Sequence, residues 1–269
     1  MNAQPHDTAA MESLLAFWRD AGVDACFEDS PQDRTIVVAP ALKAVTRATA
    51  SVTPVVNMGD ATAEARRLAN DAETMEALAG AAAAFKGCEL VGMGARGCVF
   101  GRGDPHAPIL LVGEAPGAEE DAAGQPFVGR AGKLLDRMLA AAGLADRVFI
   151  TNTVFWRPPG NRTPTPQEQA VCAPFLERAF VLMKPRAVLL LGAAAARSVL
   201  RTEDGIMKVR GQWRDWRSTE GDVSAPVIAT LHPAFLLRQP QAKRQAWADM
   251  LELAARLDGD TDGPALSDV

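Results

Sequence analysis

Four short apolar runs, separated by helix-like segments, constrain the fold of this chain more than any other feature of its sequence. The runs occupy residues 108–112, 148–154, 187–191 and 227–231. Between them, and after the last one, apolar residues recur at helical intervals, which indicates amphipathic helices. Strands joined through helices run parallel and are covered by helices on both faces. We therefore predict an α/β fold, a three-layer α/β/α sandwich around a central four-stranded parallel sheet.

The remaining sequence predicts an extension at one end and a tail at the other. Residues 8–21 have apolar side chains at helical spacing, and residues 61–85 are rich in Ala, Glu and Arg. We predict an N-terminal helical extension with a linker at residues 1–80, followed by one domain at residues 81–257. The acidic, Gly-containing residues 258–269 are predicted to form a disordered tail.

Composition favours a cytoplasmic protein that has no membrane segment. No run of about 18 apolar residues occurs, and no basic segment followed by an apolar one opens the chain, so we expect neither a membrane span nor a signal peptide. The 4 cysteines among 269 residues are too few and too scattered for a disulfide scaffold. We expect them to be reduced and the protein to be a monomer.

Charge is distributed unevenly along the chain. The formal net charge is −5, yet residues 184–244 hold 11 Lys or Arg against 5 Asp or Glu, whereas residues 1–80 hold 6 against 12. A localised basic face would suit binding to phosphates. On charge alone we favour an ordinary solvated surface, because segregated charges of this size are common.

Two predicted strands end in segments that carry reactive side chains. Residues 113–117 read Gly-Glu-Ala-Pro-Gly, and residues 231–238 read Leu-His-Pro-Ala-Phe-Leu-Leu-Arg. Because open parallel sheets bind ligands at the carboxyl ends of their strands, we expect Glu114 and His232 at one ligand site. A carboxylate and an imidazole suit cleavage of a bond whose departing group carries away negative charge. Each also has a plainer interpretation, a surface carboxylate for Glu114 and a capping or core residue for His232.

Three further segments are candidates for ligand contacts. The loop at residues 121–129 carries Phe127, which could stack on a ligand or fill the core. Asn152 ends the second predicted strand, where its amide could match the edge of a pyrimidine or form a turn. Residues 157–162, Arg-Pro-Pro-Gly-Asn-Arg, predict a stiff basic loop.

Taken together, these segments resemble the uracil-DNA glycosylase superfamily and, within it, the family-four enzymes of bacteria and archaea. The resemblance runs from about residue 85 to residue 253 and rests on five segments in the family's order and spacing. They are residues 113–117, 124–129, 150–152, 157–162 and 232–238. The resemblance implies a DNA repair hydrolase that flips uracil out of DNA and cleaves its N-glycosidic bond, leaving an abasic site.

The resemblance also implies a role for each matching residue around the base. The catalytic candidates are Glu114, which would handle water, and His232, which would face uracil O2; Glu120 and Asp121 are weaker alternatives to Glu114. The uracil-binding candidates are Ala115, Gly117, Phe127 and Asn152. Phe127 would stack on the flipped base and Asn152 would read its polar edge.

Contacts with DNA are assigned in the same way. The candidates are Arg157, Arg162, Arg210, Phe235, Leu236, Leu237 and Arg238. Arginines neutralise phosphates, and an apolar wedge can fill the stack that the flipped base leaves. Either Leu236 or Leu237 would be this wedge.

The cysteines depart from the family pattern. Family-four enzymes typically carry a [4Fe–4S] cluster held by four cysteines, one pair near the start of the domain and another flanking the Arg-Pro-Pro loop. Here Phe85 and Trp156 stand at two of these positions, while Cys88 and Cys172 remain. Neither Phe nor Trp can replace a thiolate. We therefore predict no cluster and no other metal, with the two rings filling that volume.

Three classes of function follow from these residues. The leading prediction is a monofunctional glycosylase acting on uracil-containing DNA, and no histidine-bearing basic insertion is present that would form a covalent bond to DNA. The alternatives are a non-catalytic uracil- or damage-binding protein of the same fold and an α/β hydrolase of free nucleosides. Glu114 and His232 argue against the pure binder, and the candidate wedge argues against the nucleoside hydrolase.

Overall fold

The computed structural model describes residues 58–219, 221 and 223–259. The predictions made for residues 1–57 and 260–269 lie outside this range. All described residues belong to one compact unit. Within it, no helix is long and apolar enough to cross a membrane.

Helices and strands follow one another along the described chain, singly or in pairs of the same type. The helices are α1 (Met58–Asn70), α2 (Met75–Ala84), α3 (Ala118–Ala123), α4 (Arg130–Ala141), α5 (Pro166–Met183), α6 (Ala193–Leu200), α7 (Ile206–Val209), α8 (Pro233–Arg238) and α9 (Lys243–Gly259). The strands are β1 (Gly101–Gly103), β2 (Ile109–Gly113), β3 (Val148–Asn152), β4 (Ala187–Leu191), β5 (Trp213–Arg217) and β6 (Ser224–Thr230). Single 3₁₀ turns lie at Glu89–Gly92, Ala145–Arg147, Pro159–Asn161 and Pro240–Ala242.

The strands form one sheet in the order β1-β3-β2-β4-β6-β5. Its four inner strands are parallel and coincide with the four apolar runs, which confirms the predicted parallel core. The outer strands β1 and β5 are antiparallel to their neighbours and are missed by the sequence prediction. Strands buried on both faces need uninterrupted apolar runs, whereas edge strands such as the Gly-Arg-Gly of β1 do not.

The core consists of an apolar layer on each face of the sheet, as expected for a three-layer sandwich. Along β2, Leu110 and Val112 pack into one layer with α1, α2, α5 and α6. The alternate residues Ile109 and Leu111 pack into the other layer with α4 and α9. Successive side chains of a strand point to opposite faces, so one apolar run supplies both layers.

Helices α1 and α2, most of which the sequence analysis places in the N-terminal extension, pack against α5 and share its apolar layer. The guanidinium of Arg178 on α5 donates to the carbonyl of Ala72 at 2.9 and 2.8 Å. Arg66 pairs with Glu177 at 3.4 Å. Residues 58–80 thus contribute to the same core as the predicted domain.

The carboxyl ends of the inner strands meet at one edge of the sheet. Gly113 of β2 lies opposite Asn152 of β3. Glu114 follows β2 directly, and His232 follows β6 by two residues. The parallel register therefore brings a carboxylate, an amide and an imidazole to the same edge, where such sheets bind ligands.

Candidate active site

A pocket of about 550 Å³ opens at this carboxyl edge. The predicted residues that line it are Glu114, Ala115, Gly117, Phe127, Asn152, Arg162, His232, Phe235 and Arg238. One cavity therefore brings together both catalytic candidates, the four uracil-binding candidates and three of the seven DNA-binding candidates.

Two predicted arginines lie outside the pocket lining. Arg157 Nε donates to Asn161 Oδ1 at 2.7 Å, and because Asn161 lines the pocket, Arg157 lies at its rim. The guanidinium of Arg210 instead donates to both oxygens of the buried Asp249 carboxylate, at 2.6 and 3.1 Å. This ion pair engages Arg210 within the fold, so the geometry offers no support for its predicted contact with DNA.

The two candidate wedge residues differ sharply in exposure. Leu236 is 0% exposed and packs into a small apolar cluster with Leu231, Ala242 and Ala246. Leu237, the next residue of α8, is 37% exposed. Only an exposed side chain can enter DNA without unpacking the protein, so the geometry favours Leu237.

Asn152 presents an unsatisfied acceptor at the pocket. The residue is 1% exposed, and its Oδ1 has no hydrogen-bond partner among the described residues. A Cβ atom on Gly113 would collide with this Oδ1 and with the ring of Phe127. Gly113 is therefore required for the amide and the ring to approach each other, a role that the sequence analysis did not assign.

Phe127 forms an apolar wall of the pocket. Its ring is buried, and its centroid lies 5.7 Å from that of His232 with an interplanar angle of 34°. Its backbone φ is 56°, which is unusual for a bulky side chain. The ring thus belongs to the core and to the pocket wall at once.

His232 caps the N-terminus of α8 and is held in one tautomer. Its Nδ1 accepts the backbone N–H of Ala234 at 3.1 Å, so in the neutral ring the proton sits on Nε2. Burial, assisted by the charge of Arg238 and opposed by that of Glu120, lowers the pKa of His232 to about 4. At neutral pH the side chain is therefore an uncharged Nε2–H donor.

The main chain of Glu114 is fixed at the end of β2, while its side chain lines the pocket. The Glu114 carbonyl accepts the hydroxyl of Thr153 at 2.7 Å and the amide of Val154 at 3.3 Å. Among the described residues, none forms a hydrogen bond with the Glu114 carboxylate. This carboxylate remains available for a ligand or a water molecule.

The two alternative carboxylates are engaged by backbone amides. Glu120 accepts the N–H of Gly117 at 3.1 Å and that of Gly129 at 2.9 Å, which joins the turn after β2 to the end of the Phe127 loop. Buried Asp121 accepts the N–H of Arg96 at 2.8 Å. These contacts fix loops next to the pocket. Glu114 is therefore the better candidate for the carboxylate that would orient a water molecule.

Some lining residues were not singled out from the sequence. The Arg-Pro-Pro loop and the residue after it contribute three of them, Pro158, Asn161 and Thr163, whereas only the arginines of this loop were predicted from the sequence. The sequence signal that points to them is the Pro-Pro-Gly-Asn run, because Gly and Asn favour tight turns, and both Gly160 and Asn161 have positive φ.

Three cysteines of the described chain lie close together. The thiol of Cys172 donates a hydrogen bond to Cys88, and this bond lowers the pKa of Cys88. Burial raises the pKa of Cys98, which interacts with Cys88, to about 12. Phe85 and Trp156 are buried nearby, with ring centroids 6.5 Å apart. Within the described residues, no group of three or more His, Cys, Asp or Glu is arranged to hold a metal ion.

Comparison with known proteins gives consistent matches. The family model of the uracil DNA glycosylase superfamily matches residues 100–251. A type-4 uracil-DNA glycosylase of Thermotoga maritima is 44% identical over 52% of this chain and 71% of its own length. Type-4 uracil-DNA glycosylases of Archaeoglobus fulgidus and Pyrobaculum aerophilum are 39% and 38% identical, each over 58% of this chain and over 79% and 81% of their own lengths.

These relatives overturn the prediction that the chain has no iron–sulfur cluster. They are type-4 enzymes, the class that carries a [4Fe–4S] cluster, so the family points to a cluster. The four residues that the sequence prediction assigned to the family's ligand positions, Phe85, Cys88, Trp156 and Cys172, are all buried. A complete four-cysteine site is not formed by the described residues.

The matched region contains the strands and loops that build the pocket. It begins at residue 100, just before β1, and ends at residue 251, within α9. It covers more than half of the chain and includes every predicted residue of the pocket lining. The chain therefore belongs to the uracil DNA glycosylase superfamily.

Proposed function

We propose that this protein is a monofunctional uracil-DNA glycosylase that hydrolyses the bond between uracil and deoxyribose and leaves an abasic site for repair. Family membership supports uracil-DNA glycosylase chemistry. The observation that carries the proposal is the buried, unpaired Oδ1 of Asn152 in the pocket lining. A buried acceptor without a partner is costly, and a bound base that donates to it would remove that cost.

Uracil matches the polar and apolar groups of the pocket. Its N3–H would donate to Asn152 Oδ1, and its O4 would accept from the amide nitrogen of the same side chain. The ring of Phe127 offers a flat apolar surface on which the base would stack. A free carboxylate or phosphate ligand would instead leave the acceptor of Asn152 unpaired.

His232 would stabilise the departing base. As the N1–C1′ bond breaks, its electron pair leaves with uracil, and negative charge develops on N1 and O2. The neutral Nε2–H of His232 would donate to O2, and this bond strengthens as the charge grows. A preorganised donor of this kind acts on the transition state more than on the bound substrate.

Glu114 would act on the sugar side of the same bond. Its carboxylate lines the pocket and would orient the water that adds to C1′, accept the proton of that water and stabilise the positive charge that develops on the sugar. No lysine occurs among the described lining residues. Hydrolysis by water without an amine nucleophile corresponds to a monofunctional enzyme.

DNA would be held around the mouth of the pocket. Arg238 lines it and Arg157 lies at its rim, where both guanidinium groups can approach phosphates. Arg162 also lines the pocket, but its guanidinium donates to both oxygens of buried Glu168, at 2.9 and 2.6 Å, which engages it within the fold as Asp249 engages Arg210. Exposed Leu237 would fill the position that the flipped base leaves. Buried Leu236 would support α8 from beneath.

Single-turnover release of uracil from an oligonucleotide tests the proposal. We expect the wild-type protein to leave abasic sites, and Asn152→Ala and His232→Ala each to slow release by roughly a hundredfold, the loss typical of one transition-state donor. Asn70→Ala removes an exposed amide on α1, outside the pocket, and should leave the rate unchanged.

Other outcomes identify the competing functions. Tight binding of uracil-containing DNA by the wild-type protein without release of the base would indicate a damage-binding protein. Release of uracil from free deoxyuridine but not from the oligonucleotide would indicate a nucleoside hydrolase. Wild-type rates in Asn152→Ala would remove Asn152 from the mechanism.

A further inference from the structure

Phe127 has a backbone conformation that its side chain disfavours. Four residues other than Gly have positive φ in the described chain. Lys184 and Arg201 occupy helix C-caps, where this conformation is common, and Asn161 tolerates it. Phe127, with φ 56°, lies in a loop rather than at a helix C-cap, and its bulky side chain disfavours this conformation. Strain of this kind persists only where the surroundings enforce it.

Arg102 on the edge strand β1 holds the backbone on either side of the strained residue. Its Nε donates to the carbonyl of Pro126 at 2.8 Å, and its Nη2 donates to the carbonyl of Phe127 at 3.3 Å. The same Nη2 contacts Asp136 Oδ1 on α4 at 2.6 Å. The planar guanidinium therefore grips two successive carbonyls, which a single ammonium could not do with the same geometry.

Two glycines leave room for the strained segment. A Cβ atom on Gly132 of α4 would overlap the carbonyl group of Phe127. A Cβ atom on Gly113 would overlap the far end of its ring. The loop is thus confined by α4 from one side and by β2 from the other, and Arg102 closes the remaining side through hydrogen bonds.

We propose that Arg102, oriented by Asp136, is a positioning residue that keeps Phe127 in its left-handed conformation and so presents the ring to the flipped base. The proposal rests on the proposed function for the identity of the ligand. Arg102 does not line the pocket and would not touch the substrate. Its effect would pass entirely through Phe127, and this distinguishes it from a general stabilising ion pair.

A double-mutant cycle tests this dependence. We expect Arg102→Ala to slow single-turnover uracil release about tenfold, because the loop relaxes and the ring leaves its stacking position. In Phe127→Gly, the ring is absent and glycine adopts positive φ without strain. In this background Arg102→Ala should have little further effect on the rate.

Arg147→Ala is the matched control. Arg147 is similarly exposed and pairs with Asp258 at 2.9 Å, outside the pocket lining. This variant should retain the wild-type rate. Equal losses caused by Arg102→Ala in the wild-type and Phe127→Gly backgrounds would show that Arg102 acts on the fold as a whole and would overturn the proposal.

Hydrogen–deuterium exchange provides a measurement that does not depend on activity. Arg102→Ala should increase exchange in the peptide spanning residues 124–132, whereas Arg147→Ala should not. Unchanged exchange in this peptide would overturn the proposal even if the rate falls. If the wild-type protein releases no uracil but Arg102→Ala increases exchange as expected, the proposed function fails, whereas the role of Arg102 in holding the conformation of Phe127 is supported.

Discussion

At His232, a backbone amide two residues along the chain decides which ring nitrogen carries the proton. The sequence predicts an imidazole at a strand end, because His232 follows an apolar run directly. It does not reveal the neutral state, which depends on burial against Phe127 from a distant loop. Likewise, Arg102 escapes sequence analysis because its partners are the backbone carbonyls of residues 126 and 127. The sequence thus identifies which side chain could react, whereas contacts in the folded protein determine whether that side chain is protonated.

The depressed pKa of His232 predicts a dependence of stability on pH. Since this pKa is about 4 in the folded protein against an ordinary value of 6.5, the unfolded chain binds the extra proton first as pH falls. The contribution of neutral His232 to the free energy of unfolding is complete above about pH 6.5 and is lost as the pH falls from there to about 4. Between pH 7.5 and pH 5, the wild-type free energy of unfolding should therefore fall by about 2 kcal/mol more than that of His232→Gln.

Denaturant unfolding of both proteins at several pH values checks this prediction. Protonation of other groups affects both proteins alike, so their difference isolates His232. Parallel stability curves across this range would mean that His232 titrates normally and would remove the argument for a neutral donor.

Among the elements, the inner strands were predictable and the details of α8 were not. Strands β2, β3 and β4 are buried along their whole length and β6 along most of it, and this leaves a largely apolar pattern in the sequence. In α8, Leu236 and Leu237 are chemically identical neighbours, and the direction of each depends on how the helix packs against α4 and α9. Sequence alone therefore could not separate the wedge from the core residue.

The two leucines of α8 should respond differently to the same substitution. Leu236→Ala removes a fully buried side chain and should lower the free energy of unfolding by about 2–5 kcal/mol. Leu237→Ala should leave stability nearly unchanged but slow uracil release from duplex DNA, where a base must be unstacked, more than from single strands. Thermal unfolding and paired rate measurements distinguish them. Loss of stability in Leu237→Ala, or an equal slowing of uracil release from duplex and single-stranded DNA, would contradict the assignment.

At the scale of the whole molecule, the basic segment at residues 184–244 does not gather at the pocket. Ion pairs join Arg201 to Glu177, Lys208 to Asp204 and Arg210 to Asp249. Of the cations at residues 184–244 that the structure describes, Arg238 alone lines the pocket. Most cations of this segment therefore lie away from the pocket, and the arginines that line it, Arg162 and Arg238, come from separate parts of the chain. Charge counts along a sequence cannot show this, because partners such as Asp249 lie far away in the chain.

Salt dependence of DNA binding tests whether local or total charge governs the interaction. Arg238→Ala and Arg256→Ala each remove one positive charge, but Arg256 lies on α9 over the ring of Trp213, 4.4 Å from its centroid, and outside the pocket lining. Anisotropy titrations with a duplex that lacks uracil, between about 50 and 200 mM salt, give the slope of log K against log salt concentration. Arg238→Ala should reduce the magnitude of this slope by about 0.9, the value for one lost phosphate contact, whereas Arg256→Ala should leave it unchanged. Equal slopes in the two variants would mean that the net charge of −5, rather than the pocket rim, controls the encounter with DNA.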